Sequence, residues 1–360
     1  MSTYDLKWNK KERQAGVDLL RLIAVLMIST GHYLSAWILN YSEFGSFNTK
    51  IARMIEALAV VSVNLFILIS GYFGINSKGM NLRRIVNMLV MIAFFSCGSY
   101  LIQSATGQIS FHFIAFLKSL IPYMFEGYWF IRVYLILSVI APFLNVGLIK
   151  LEGRNYLLLL ALCFCVFSVL PSFSKAFQNG NGFDIIHFVF MYALGGYIKL
   201  HMVKKPRPVV CFLGYIIFGI VTFLFSIYGD NLGYWAYDFI SVVPESVFLF
   251  LTFVQIRLKS RPISFLAKSS LAVFVTENSI PGLYKDILKV KNYMDSSLFL
   301  LHFIGSIICF TVFALCLDCV RRFIFKYSVD KILDRIPFIN RHIFTSLEES
   351  DTLDNQGTVP

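Results

Sequence analysis

Apolar runs long enough to cross a bilayer alternate with short polar stretches along most of the chain. About ten such runs can be drawn, over residues 17–39, 54–75, 84–106, 128–149, 156–171, 184–201, 209–228, 234–256, 264–284 and 297–320. They predict an all-α fold, a polytopic membrane helix bundle with both termini on one side. The fifth, sixth and ninth runs are short or polar for spanning helices. Residues 110–126 are apolar but too brief to span, and read as an interfacial or re-entrant helix over one end of the bundle. The expected organisation is a basic lead at 1–16, one membrane unit at 17–320 and a tail at 321–360 whose polar end is expected to be disordered. The lead feeds a full-length apolar segment with no small-residue cleavage site, so no removable signal is expected.

Composition agrees with the membrane reading. Of 360 residues, 57% are hydrophobic and only 15% charged, with 37 phenylalanines, and the mean hydropathy is +0.69. Soluble chains average roughly 25% charged residues. The net charge of +11 would suit nucleic acid if it formed a patch, but it is distributed as topology. Lys7, Lys10, Lys11, Arg13, Arg83, Arg84, Lys199, Lys204, Lys205, Arg207, Arg257, Lys259, Arg261, Lys268, Arg321 and Arg322 all fall at one end of a ten-helix arrangement. The other end holds Lys50, Arg53, Lys118, Lys175, Lys285, Lys289 and Lys291. By the positive-inside rule the first end is cytoplasmic. The excess charge then implies contact with anionic membrane lipid, and no nucleic-acid partner is expected. The seven cysteines have neither disulfide-scaffold nor zinc-ligand spacing, and no metal site is expected.

The first apolar run carries the chemistry that a membrane segment should avoid. Asp18, Arg21 and His32 lie within it, and intramembrane charge is costly enough to need a purpose. Arg21 and His32 are eleven residues apart, about 1100° of helical turn, so they share a face and stand about 16 Å apart along the axis. Asp18, three residues before Arg21, can pair with it. His32 reads as a general base or as a histidine capping a polar pore. Arg21 reads as an anion site or as an interfacial arginine snorkelling to the surface.

Further polar residues interrupt later runs. Glu56 lies near the start of the second and is a candidate neighbour of His32, or a solvated interface residue. Asn64 is polar inside the same apolar run, as a site residue or only for helix packing. Trp129 opens the fourth at an aromatic belt, and Arg132 lies a turn deeper, with Glu126 or an acceptor as its expected partner. Glu245 is the deepest acid, placed after Pro244, which should kink or open the eighth helix. Thr276, Glu277 and Asn278 form a cluster that should face the bundle and join His32 around one cavity. Glu277 could orient that histidine or bind a sugar hydroxyl.

These residues together resemble the acyltransferase-3 family of integral membrane acyltransferases. Arg21 and His32 match its arginine or lysine, ten residues, histidine signature. Val63 to Phe73 resembles its second-helix stretch. Tyr128-Trp129-Phe130 through Pro142, and Ser269-Ser270-Leu271-Ala272-Val273-Phe274, resemble its tryptophan-phenylalanine and late serine-leucine segments. The resemblance runs over about residues 14–320 with the motifs in order. One departure stands out: Glu277 occupies a position where many members have histidine.

The resemblance implies transfer of an acyl group, usually acetyl from acetyl-CoA, to a hydroxyl of a surface or lipid-linked carbohydrate, as in exopolysaccharide assembly at a bacterial plasma membrane. It implies that His32 is the essential histidine and Arg21 the basic residue of the signature. No permanently bound cofactor is expected, acetyl-CoA serving as donor. Asp18, Glu56, Asn64, Trp129, Arg132, Glu245, Glu277 and Asn278 are candidates for donor or acceptor binding, with Asn64 and Asn278 as possible oxyanion donors. A transporter or flippase would use similar helices and buried charges, though no repeat symmetry is visible. A non-catalytic membrane component of a glycan-assembly system is the third reading.

Overall fold

The computed structural model describes residues 15–36, 46–77, 79–125, 127–177, 180–228, 233–336 and 342–343. The lead before residue 15, Glu126 and the tail at 337–341 and 344–360 lie outside them, and so does the expectation of disorder at the end of that tail.

Seven helices among the described residues are long and apolar enough to cross a membrane: α1 (Ala15–Ala36), the run Phe47–Gly74, α4 (Leu82–Ala105), α6 (Trp129–Ile149), α7 (Gly153–Phe173), α9 (Pro208–Tyr228) and α13 (Phe299–Tyr327). The run Phe47–Gly74 is made of α2 (Phe47–Ala59) and α3 (Ser62–Gly74), with a turn between them. Two shorter apolar helices, α8 (Ile185–Leu200) and α10 (Val242–Val254), lie among these. The last apolar run before α13 is broken into α11 (Arg261–Leu266), a 3₁₀ turn at Ala267–Ser269 and α12 (Ser270–Ser279). An all-α polytopic bundle is thus the architecture. Seven of the ten expected runs are full-length spans by themselves.

Proline chemistry accounts for the largest difference. The eighth run was expected to be helical from residue 234 with a kink at Pro244. Residues 234–241 are instead turns, and α10 starts at Val242 with Pro244 in its first turn. Proline has no N–H to give an earlier carbonyl, but the first-turn N–H groups have no partner inside the helix anyway. Pro244 therefore helps to start this helix and does not bend it. In the 110–126 region, α5 (Phe113–Leu120) is a short helix with no buried residue. Phe113, Ile114 and Leu117 face outward from it, as suits a helix lying at a bilayer interface.

Small residues let the central helices touch. A Cβ on Gly71 would stand 2.0 Å from the Tyr192 carbonyl oxygen, and one on Gly195 2.3 Å from that of Leu68, so α3 and α8 meet backbone to backbone. Asn145 of α6 donates to the carbonyls of Gly74 (2.8 Å) and Ser77 (3.1 Å), and accepts from the Tyr192 hydroxyl (2.9 Å). This ties α6 to the same pair. The main apolar core draws on α1, α3, α6, α8, α10 and α12. A smaller one gathers Tyr33, Leu34, Ala52, Phe299, Phe303 and Ile307 around the C-terminal end of α1. A two-residue antiparallel pair, β1 (Met80–Asn81) with β2 (His342–Ile343), joins residues 342–343 to the segment before α4. That pairing was not expected, since neither segment has a strand pattern.

Candidate active site

Helix α1 carries two polar stations. At its start Asp18 is fully buried and holds Arg21 by a 2.6 Å ion pair. The Arg21 guanidinium also lies over the Phe73 ring, 5.8 Å from its centre, and Lys199 lies over the neighbouring Tyr72 at 4.9 Å. A cation–π contact of this kind shields the cation while leaving its hydrogen-bonding edge usable. The i, i+3 spacing that suggested the Asp18–Arg21 pair is the one that forms it.

The second station is three turns further along α1. His32 Nδ1 stands 2.6 Å from Glu277 Oε1 on α12. The Glu277 side chain is almost fully buried, whereas that of His32 is 40% exposed. Two more donors converge on the same carboxylate. Ser29 Oγ donates to Oε2 at 2.6 Å, and the Tyr284 hydroxyl donates to Oε1. In a neutral imidazole facing a carboxylate, the proton belongs on the facing nitrogen. Nδ1 therefore holds the hydrogen, and Nε2 keeps its lone pair for a substrate proton. A cleft of about 430 Å³ opens here, lined by His32, Ser35, Glu277, Asn278, Gly282, Tyr284 and Lys285. Half-exposed His32, buried Glu277 and the cleft beside them make a base held by an acid–base dyad, suited to taking a proton from a hydroxyl.

The chain matches the family model described as "Acyltransferase domain", of the acyltransferase-3 type, over residues 14–327. It belongs to the acyltransferase-3 family. No curated protein and no solved structure matches it. The matched span takes in both stations of α1, the Glu277 helix and the seven long apolar helices among the described residues of this membrane acyltransferase.

The remaining candidate residues of the acyltransferase divide by location. Asn278 lines the cleft, but its amide is used on the Phe274 carbonyl one turn back (2.9 Å). Asn64 is away from His32 in a second, fully buried polar cluster. It donates to the Tyr237 carbonyl (2.8 Å) and Ser246 Oγ (3.1 Å), and its Oδ1 meets His187 Nε2 at 2.8 Å. Those bonds tie α3, α8 and α10 together and occupy the amide that oxyanion binding would need. Glu56 makes no hydrogen bond or ion pair with His32; its charged neighbour is Arg53, which donates to the Ser226 carbonyl and the Tyr234 hydroxyl. Glu245 is fully buried beside Thr222 of α9, 3.3 Å away, and does not reach the cleft. Arg132 is exposed and donates to the Phe125 carbonyl; Glu126, its expected partner, lies outside the described residues. Trp129 packs in an aromatic group, 4.4 Å from Phe183 and stacked at 5.8 Å on Tyr237. Its neighbour Tyr128 bonds Ser279 at the end of α12 (2.9 Å), so this group sits at the same end of the bundle as the cleft.

Ser29 and Tyr284 were not among the expected site residues. Ser29 had a visible signal, one turn before His32 on the same face. Tyr284 had none, because Pro281 and Gly282 interrupt the helical phase between it and Glu277. Gly282 takes a left-handed conformation (φ 67°) that turns the chain back on itself, and glycine adopts it without strain.

Proposed function

We propose that this membrane acyltransferase moves an acetyl group from acetyl-CoA to a hydroxyl of a surface or lipid-linked carbohydrate, at a bacterial plasma membrane. The observation that carries the reading is the His32–Glu277 pair opening on a cleft at one end of α1, with Arg21 at the other. The acceptor hydroxyl loses its proton to His32 Nε2 as its oxygen attacks the thioester carbonyl. The C–S bond breaks, and the proton returns to the departing CoA sulfur. An acyl-imidazole route would use the same nitrogen. Glu277 stabilises the imidazolium that forms meanwhile.

The donor is made in the cytoplasm, and the basic end suits its phosphates. Arg21 lies over Phe73 and Lys199 over Tyr72, two rings whose centres are 5.1 Å apart. Burial, and the charge of Lys199, push the ammonium of Lys205 below its usual value, a crowding of cations that a bound polyanion relieves. In this arrangement the ten apolar runs cross the membrane with both termini inside, and the cleft faces out. The match to an acyltransferase family over residues 14–327 supports acyl transfer over transport.

The test is to follow labelled acetyl from acetyl-CoA into lipid-linked and surface glycan, using membranes that hold the wild type or His32→Ala at equal folded yield. Label with the wild type and none with the variant is expected. Undiminished transfer by His32→Ala would remove His32 from the mechanism.

A further inference from the structure

Glu277 receives more hydrogen bonds than a partner for His32 requires, and the surplus has a structure of its own. Its Oε1 takes His32 Nδ1 and the Tyr284 hydroxyl, while Oε2 takes Ser29 Oγ. A carboxylate held by one donor can rotate about its terminal bond. Held at both oxygens it cannot, and the lone pair on Oε1 stays aimed at Nδ1. Tyr284 is itself fixed from behind. Its ring meets Tyr33 edge-on (6.1 Å between centres, 89°). The Tyr33 hydroxyl is bonded to His302 Nδ1 at 2.7 Å, and His302 lies flat on Tyr293, 3.7 Å between centres. Tyr33 and Tyr284 are thus locked to α13 and to the turn before it.

We propose that Tyr284 is a positioning residue for acyl transfer, acting through Glu277 to hold His32 in the tautomer and direction that make it a base. It rests on the acyl-transfer reading above and deepens it. Ser29 completes the clamp from the other oxygen. Through Tyr33 and His302 the alignment of the base depends on α13, an element that supplies no residue to the cleft.

A double-mutant cycle tests this, with Tyr284→Phe, Glu277→Gln and the pair measured in reconstituted membranes with acetyl-CoA and the glycan acceptor found for the wild type. Tyr284→Phe keeps the ring and its packing and loses only the hydroxyl. The expected result is a fall in kcat of about 10- to 150-fold, the size of one lost bond to a charged group, with KM for acetyl-CoA unchanged. In the Glu277→Gln background the same change should cost almost nothing more, because the group it acts through is already gone. A loss just as large in that background would mean a structural role and overturn the proposal, as would a Tyr284→Phe enzyme with wild-type kcat. If wild-type transfer does not depend on His32, the acyl-transfer role of the pair falls and this inference falls with it.

Discussion

The two nitrogens of His32 have different surroundings, and that difference decides what the residue can do. Nδ1 faces a buried carboxylate at 2.6 Å, leaving Nε2 as the reactive atom. Glu277→Gln should therefore abolish most transfer while leaving the fold intact. An amide N–H turned toward Nδ1 favours the tautomer with hydrogen on Nε2, which is no longer a base. Transfer rates should drop roughly 10²–10⁴-fold, the usual contribution of a positioned base, with little change in thermal unfolding. Glu245→Gln is the contrasting case: buried against Thr222 and remote from the cleft, it should leave transfer within about twofold of wild type when each variant is assayed at equal folded amount. Arg21, His32 and Glu277 could be picked out from the sequence because charged or titratable groups are rare inside apolar runs, and helical spacing places them. Asn64 and Glu245 stood out for the same reason. Rarity alone does not separate a buried polar cross-link from a reactive group, so only the contacts assign them.

At the scale of elements, α3 and α8 meet backbone to backbone through Gly71 and Gly195. Helix α3 also holds Phe73 and Tyr72 under the basic side chains of Arg21 and Lys199. Gly195→Leu would drive a side chain into the Leu68 carbonyl and force the helices apart. The expected result is a marked loss of folded protein in detergent, with the cost of overpacking at about 1–3 kcal/mol or more; a stable variant would contradict the backbone contact. The long helices were readable from apolar length alone. The shorter and broken ones were harder, since Pro244 and Pro262 sit in first turns where they begin a helix, and Pro281 follows one. The same residue marks starts and stops, and apolar length does not say which.

For the whole molecule, the charge asymmetry makes an orientation that can be measured. In a background without the seven native cysteines, Lys285→Cys at the cleft should react with a membrane-impermeant maleimide applied to intact cells. Lys205→Cys should react only after the membrane is opened. The opposite pattern would invert the topology. Arg21 and His32, on one face of α1 and about 16 Å apart, have a consequence for inhibition as well. If the nucleotide is held at one station and the acceptor at the other, the two substrates occupy separate sites and neither excludes the other. Desulfo-CoA should compete with acetyl-CoA, yet lower the maximal rate against acceptor without raising its KM. A compound that fills only the outer cleft should show the reverse, and a molecule linking the two should bind far more tightly than either half.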